Sequence, residues 1–380
     1  MLASDVIVVG GGLVGTAVAY GLGQSGKKIT VLDEGDDAFR ASRGNFGLIW
    51  VHGKGRGFPQ YARWTRESAR QWPALAARLQ RETGIDVQVR QAGAFNLCFS
   101  EAELEARAER LAAVRDEVGG DYPYEMLDRA ALLQRLPHIG PTVLGASYSP
   151  MDGHVNPLKL LRALHTACSR QGMVLKTGHG VQRITHADGL FTAHSGGQQF
   201  RAPKLVLAAG LGNARLAGQV GLHAPVRPNR GQLLITERCE KILDHPTGHI
   251  RQTCEGGIQI GESMEDAGFD DSTTNSTLAE LSRRAIASFP VIGQLNVVRV
   301  WGALRVMTPD GYPIYQESKS CPGAYVVTCH SGVTLAAAHA FRIAPWIDGS
   351  AAPEELDAFT GDRFPAADPG AQALDHHHAH

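Results

Sequence analysis

The chain has 380 residues, 37 Lys and Arg against 38 Asp and Glu, a formal net charge of −1, and 43% apolar to 20% charged residues. That length exceeds what one hydrophobic core usually serves, which makes two domains the default, and the balanced charge argues against a nucleic-acid surface held by bulk electrostatics. No apolar run reaches membrane-spanning length, and Cys98, Cys168, Cys239, Cys254, Cys321 and Cys329 form no C-x-x-C pair, so inert thiols in a reducing, cytoplasmic compartment are expected rather than disulfides or a metal site.

From Asp5 to Glu34 the chain reads DVIVVGGGLVGTAVAYGLGQSGKKITVLDE. No positively charged segment precedes the first apolar residues, and the first lysine is Lys27, so no secretory signal is expected. The β-branched run Val6 to Val9 reads as a buried strand that ends in a tight glycine turn. Gly10-x-Gly12-x-x-Gly15 has the dinucleotide spacing: the first glycine allows the turn, the second lets backbone approach a pyrophosphate, and the third lets helix pack on strand. Phosphates would then sit on free N–H groups at a helix N-terminus. That helix carries Leu13, Val14, Ala17, Val18 and Leu22 on one side and has Gly26 as its stop. A second strand, Ile29 to Leu32, ends in Asp33, where a carboxylate would accept both ribose hydroxyls of an adenosine; a solvated strand end is the plainer alternative. Strand, glycines, helix and acid agree within one unit of about thirty residues. They point to a dinucleotide without choosing between NAD and FAD.

The long glycine-punctuated loop from 38 to 57 carries Ser42, Arg43, Asn45 and His52, and a loop of that length touches a ligand more often than not. Ser42 is suited to a phosphate oxygen, and Gly44 and Gly47 let backbone run close under a flat ring. Residues 61 to 83 read as a helix with Trp64 and Trp72 in its core face, kinked or split at Pro73. Strands follow at Val87 to Val89 and Ala94 to Phe99, then a solvated amphipathic helix from 101 to 118 capped by Ser100, and a short helix from Asp128 to before Pro137. Asn156 caps a helix that starts at Pro157, with Leu158, Leu161, Leu164 and Cys168 as its buried stripe and Gly172 as its end. Strands at Val174 to Lys176, Val181 to Thr185 and Phe191 to His194 precede Lys204 to Ala209, which delivers the chain to a second glycine turn at Gly210 and back to the first sheet. Between Pro225 and Gln316 strands dominate, at Gln232 to Thr236, Ile258 to Gly261, Val297 to Ala303 and Pro313 to Tyr315, with one helix from Thr277 to Phe289. A strand at Ala324 to Thr328 and a helix from Gly332 to Ile347 repeat the strand, glycine and helix order of the start. The terminal His376, His377, His378 and His380 read as a frayed end.

In that order the blocks VIVVGGGLVG, RASRGNFGL, MDGHVNPLKLLRAL, KLVLAAGLGN, PVRPNRGQLLITE, WGALRVMTPDGYPI and CHSGVTLAAAHA resemble the FAD-dependent amino-acid oxidoreductases: glycine and sarcosine oxidases, D-amino-acid dehydrogenases, and the flavin subunits of opine, hydroxyproline and cyanide-forming glycine dehydrogenases. The resemblance spans nearly the whole chain and implies FAD. It implies that Gly10, Gly12 and Gly15, with Leu13 and Val14, form the pyrophosphate turn, and that Asp33 is the ribose acid. It places Ser42, Arg43, Asn45, Gly47 and Leu48 along the diphosphate and flavin edge, Val181 at the adenine, Ala209 and Gly210 with the cofactor, and Ser331, Gly332, Val333 and Thr334 at a helix entrance facing the flavin's pyrimidine end. It makes Arg305 the holder of a substrate carboxylate; read from the residues alone, an ion pair with Asp310 or Glu262 competes with that role. His52 and His330 stand where they would touch substrate, or pack without function, and either Cys329 or His52 would be the residue for a covalent flavin link, noncovalent FAD being the expectation.

The fold expected is therefore α/β: a Rossmann-like FAD-binding domain from residues 1–84, 145–215 and 323–380, and a smaller α+β substrate domain with a mainly antiparallel sheet from 85–144 and 216–322. The reaction expected is oxidation of the Cα–N bond of an amino acid or an N-substituted, imino- or opine-type amino acid, with imine hydrolysis. Reoxidation by an electron-accepting partner subunit ranks ahead of O₂, and a NAD-linked dehydrogenase is the rival from another class. Neither nucleic acid nor a membrane span is expected.

Overall fold

The computed structural model describes residues 4–35 and 40–365; the histidine tail lies outside them. A six-stranded sheet forms the centre, in the order Ile314–Glu317, Ala324–Thr328, Lys204–Leu207, Val6–Val9, Ile29–Leu32, Val174–Lys176. All neighbours are parallel except the first pair. Val6–Val9, an unbroken apolar run, and Ile29–Leu32, apolar but for Thr30, are buried along their whole length, as strands are when both faces of a parallel sheet are covered. The helix Leu13–Gly23 covers one face. A Cβ on its Gly21 would lie 2.2 Å from the Ala340 carbonyl oxygen, so this helix presses directly on the α, π, α run from Ala336 to Asp348.

A three-stranded meander, Arg183–Ala187, Leu190–Ser195 and Gln198–Ala202, turns at Asp188-Gly189 and Gly196-Gly197, all four residues at positive φ as two-residue hairpins require. Further along, a four-stranded antiparallel sheet runs Ile250–Gln252, Gly257–Ile260, Arg227–Arg238, Val297–Met307. Ala94–Cys98, Gly145–Ser149 and Glu125–Asp128 make a three-stranded sheet. Phe95, Leu127 and Ala146 from the smaller sheet share one core with Leu234, Ile258 and Ile260 from the larger and with Leu281 and Ala285 of the helix Asn275–Ser288. Ser100 and Asn156 cap their helices as the sequence indicates, and Asp128 caps the short helix that follows it, each accepting from the N–H three residues on.

Several expectations are corrected. Pro73 does not split its helix, which runs unbroken from Pro59 to Thr83. A proline there withdraws the N–H that would serve the Ala69 carbonyl, and Gln91 Nε2 supplies the missing donor at 2.9 Å. Val87 to Val89 is no strand: Gln88 has φ +59 and its N–H is held by the Asp86 carboxylate, which breaks the extended run. Leu158 is 54% exposed; the buried stripe of Pro157–Arg170 uses Leu160 in its place. Ile314–Glu317 pairs with Ala324–Thr328 in the central sheet, not with the antiparallel one, and Gly145–Ser149 pairs with Ala94–Cys98. Regular helix starts at Ala336 rather than Gly332, after a turn in which the Leu335 N–H reaches the Ser331 carbonyl at 3.0 Å.

Two buried histidines make the fold acid-sensitive. Burial pushes both His154 and His339 down from 6.5 to about 3, His154 also facing Arg251 and Arg90. The unfolded chain therefore binds more protons than the folded one between those limits, so their contribution is complete above pH 6.5 and drains away as the pH falls towards 3. We expect stability measured by denaturant titration to drop by about 1.4 kcal/mol per pH unit for each histidine in that window. His339→Gln should flatten the slope.

Candidate active site

A cavity of about 890 Å³ opens beyond the carboxyl ends of the parallel strands, the usual ligand position in such sheets. Its floor is the first glycine turn. Gly10 has φ +110, and a Cβ there would lie 2.2 Å from the Ala208 carbonyl oxygen; one on Gly15 would lie 2.0 Å from the Gly10 carbonyl oxygen. No side chain fits either place, so the helix N-terminus is drawn against the strand ends with its N–H groups at the cavity. Ser42 Oγ accepts from the Leu13 N–H at 2.9 Å. Asp33 is not a loose strand end: its carboxylate accepts from the Gly11 N–H at 2.7 Å and the Gly35 N–H at 3.0 Å, tying the turn to the acid.

Of the residues singled out in the sequence, Gly10, Gly12, Leu13, Val14, Asp33, Ser42, Arg43 and Asn45 line this cavity, and so do Val181, Ala209, Gly210, His330 and Gly332. Cys329 lines it as well, and the others are not in its lining. Gly15 lies under the turn. Gly47, at φ +91, donates to Asn45 Oδ1 at 2.6 Å; Leu48 pairs with His154 in a two-stranded ladder. Thr334 Oγ1 accepts from the Trp50 N–H at 3.1 Å, and the Val333 carbonyl accepts from Trp72 Nε1 at 3.1 Å, so both brace the lining from behind. His52 is buried, stacked on Trp50, with Nδ1 3.4 Å from Asp152 Oδ2. Asp152 Oδ1 accepts from the Val51 N–H at 2.6 Å and the His52 N–H at 3.3 Å. That cluster supports the loop rather than lining the cleft.

Arg305 lies on the strand whose Leu304 and Val306 line the cavity, but it points to the other face of the sheet, opposite Asn229. Nη1 donates to Asn229 Oδ1 at 2.8 Å and to the Arg230 carbonyl at 3.3 Å; Nη2 donates to the Ser263 carbonyl at 2.7 Å and pairs with Glu262 Oε2 at 2.9 Å. The Glu262 ion pair is thus formed, while Asp310 pairs with Arg363. Cys329 lines the cleft, and burial pushes its thiol up to about 12, so it stays protonated and is a poor nucleophile for a flavin link.

Sequence reading missed His165, whose Nε2 lies 2.8 Å from the Gly11 carbonyl in the cavity wall, and Arg215, whose Nη2 holds the Val181 carbonyl at 2.8 Å. Nothing local marks either one, since both contacts join segments far apart in the chain.

Compared with known proteins, the chain matches the DAO family model, FAD dependent oxidoreductase, over residues 5–346. It belongs to that family. The cofactor of this FAD-dependent oxidoreductase is accordingly FAD, which decides what the glycine turn left open, and the side-chain-free turn, the clamped acid and the size of the cleft fit it. The oxidoreductase is 45% identical to a subunit of opine oxidase from Agrobacterium tumefaciens strain Ach5, across 95% of this chain and 98% of that one. It is 26% identical to hydrogen cyanide synthase subunit HcnC of Pseudomonas protegens, across 96% and 97%. In fold it is similar to the crystal structure of glycine oxidase from Geobacillus kaustophilus, with a TM-score of 0.88 and 24% identity over 96% of this chain and all of that one. No helix among the described residues is long and apolar enough to cross a membrane.

Proposed function

We propose that this protein oxidises the Cα–N bond of an amino acid or an N-substituted amino acid, and that it does so as a dehydrogenase subunit. The observation that carries the reading is the junction of the cofactor cleft with the Val297–Met307 strand: Leu304 and Val306 close the cleft, and Arg305 between them presents a guanidinium on the adjoining sheet face. FAD bound in the cleft supplies a two-electron acceptor for the hydride that leaves Cα. Arg305 offers a planar fork of N–H donors that matches a carboxylate's two oxygens. Because Glu262 already holds it, a substrate carboxylate takes Glu262's place, and the freed acid stays at hand to receive the substrate's ammonium proton. Gly332 and the turn ending at Leu335 bring backbone N–H groups to the same end of the cleft as His330.

In this reading residues 1–84, 145–215 and 323–380 serve the cofactor and 85–144 and 216–322 the substrate, apart from the two strands reassigned above. The partner-dependent route is favoured by the two relatives named as subunits, and a cytoplasmic place by six cysteines that form no disulfide.

The test is anaerobic mixing of the yellow protein with D-amino acids, glycine derivatives, cyclic imino acids and opines. Bleaching by one class is the expected result. Failure of all of them would leave the protein a flavin-bearing scaffold, and rapid peroxide release in air by the isolated chain would replace the dehydrogenase with an oxidase.

A further inference from the structure

Gly10, Gly11 and Gly12 follow one another in the turn under the cleft, so no side chain restricts the backbone there and its direction must be set by what it is bonded to. Most of those bonds are local. The Gly10 N–H donates to the Leu32 carbonyl at 2.8 Å and the Gly11 N–H to Asp33 Oδ2 at 2.7 Å, while the Gly12 carbonyl accepts from the Thr16 N–H at 3.0 Å and from Thr16 Oγ1 at 2.6 Å. The peptide between Gly11 and Gly12 is the exception. Its carbonyl is held from outside the first unit, by His165 Nε2 at 2.8 Å.

His165 stands one turn after Leu161 on the helix Pro157–Arg170, and both side chains line the cleft. A further turn on, Cys168 Sγ lies 3.7 Å from the Thr16 carbonyl, so this stripe of the helix is laid along the start of Leu13–Gly23. A carbonyl oxygen only accepts, and Nε2 must therefore carry a proton of the imidazole. The C=O and N–H of a trans peptide point in opposite directions, which means that holding the Gly11 oxygen also fixes where the Gly12 N–H points. That N–H has no acceptor among the described residues, and Gly12 lines the cleft.

We propose that His165 is a positioning residue for the cofactor: by holding the Gly11 carbonyl it aims the Gly12 N–H at the diphosphate of FAD. Backbone donors grip an anion best when they are aimed before it arrives, and three glycines cannot aim themselves. The strand, glycines, helix and acid of the first unit are then complete only with a donor from a helix 154 positions further on. Asp33 and Ser42 keep their own contacts with the turn when the imidazole is removed, so the loss should fall on cofactor retention rather than on the fold. None of this depends on which amine the protein oxidises.

The experiment dilutes the FAD-loaded protein and follows the fluorescence of flavin as it is released. His165→Leu removes the donor and keeps an apolar side chain against the neighbouring helix; it should release FAD about tenfold faster, the scale of one net hydrogen bond. His165→Gln carries an amide N–H that can reach the same carbonyl, and its release should stay within about threefold of the unaltered protein. Unchanged release from His165→Leu, or equally fast release from both variants while they remain folded, would overturn the proposal. Melting temperature identifies a variant that has failed to fold, and the decision then passes to isotope-labelled histidine in the unaltered, FAD-loaded protein. There the His165 Nε2 proton should be present and slow to exchange with water; a ring protonated on Nδ1 alone would overturn the proposal.

Discussion

Replacing Gly15 by alanine should yield a protein that folds poorly and carries no FAD. The added Cβ would meet the Gly10 carbonyl oxygen at 2.0 Å, a backbone atom with no rotamer to move out of the way. Gly10 has nowhere to shift, since it is itself held at φ +110 with Ala208 behind it, and the Ala208 N–H is bonded to the Val9 carbonyl at 2.8 Å. The helix Leu13–Gly23 must therefore back away from the strands, carrying with it the N–H groups that face the cleft. Overpacking of that kind costs about 1–3 kcal/mol in stability, and displaced anion donors cost cofactor affinity on top. Flavin absorbance per protein after reconstitution is the readout, with Gly26→Ala as the control. Gly26 is also at positive φ, yet a Cβ there would meet nothing within 4 Å, so that variant should lose about 1 kcal/mol and stay yellow. A fully yellow Gly15→Ala protein would remove the first turn from the account of FAD binding.

The first unit was legible because its parts answer to local rules, each carried by neighbours in sequence. The same holds for the caps at Ser100 and Asn156, where a side chain reaches a backbone N–H three residues away. What escaped depends on distance. Ile314–Glu317 has the residues of a strand in either sheet, and only its partner at Ala324–Thr328 assigns it. Pro73 breaks helices by rule, but Gln91 sits eighteen positions on and satisfies the carbonyl that the rule leaves bare. The strand Gln198–Ala202 is too polar to announce itself, although the Gly196-Gly197 turn before it is a hairpin signal. Lys54, Tyr61 and Ser331 converge across more than 250 positions of sequence, beyond any motif. Arg305 was legible as a residue and not as a contact: its two readings, carboxylate holder and partner of Glu262, differ only in what the sheet places opposite it.

Those two readings of Arg305 part company in kinetics. Arg305→Ala should lower kcat/KM for a carboxylate-bearing amine by about 10²–10³-fold, near 3–4 kcal/mol, the scale of losing a bidentate charge-assisted contact in a buried site. Arg305→Lys should recover little of it, because an ammonium cannot replace the fork that serves Asn229, Ser263 and a carboxylate at once. Part of the loss is structural, since the Ser263 carbonyl loses its Arg305 donor and Glu262 loses its ion pair with Arg305. Glu262→Gln isolates the rest. It keeps a hydrogen-bonding side chain of the same shape but removes the competing charge, so a substrate carboxylate should bind several-fold more tightly, about 1 kcal/mol, lowering KM while the loss of a proton acceptor lowers kcat. If Arg305→Ala instead slows an amine with no carboxylate as much as one that has it, the guanidinium only braces the sheet, and the substrate's acid must be held elsewhere.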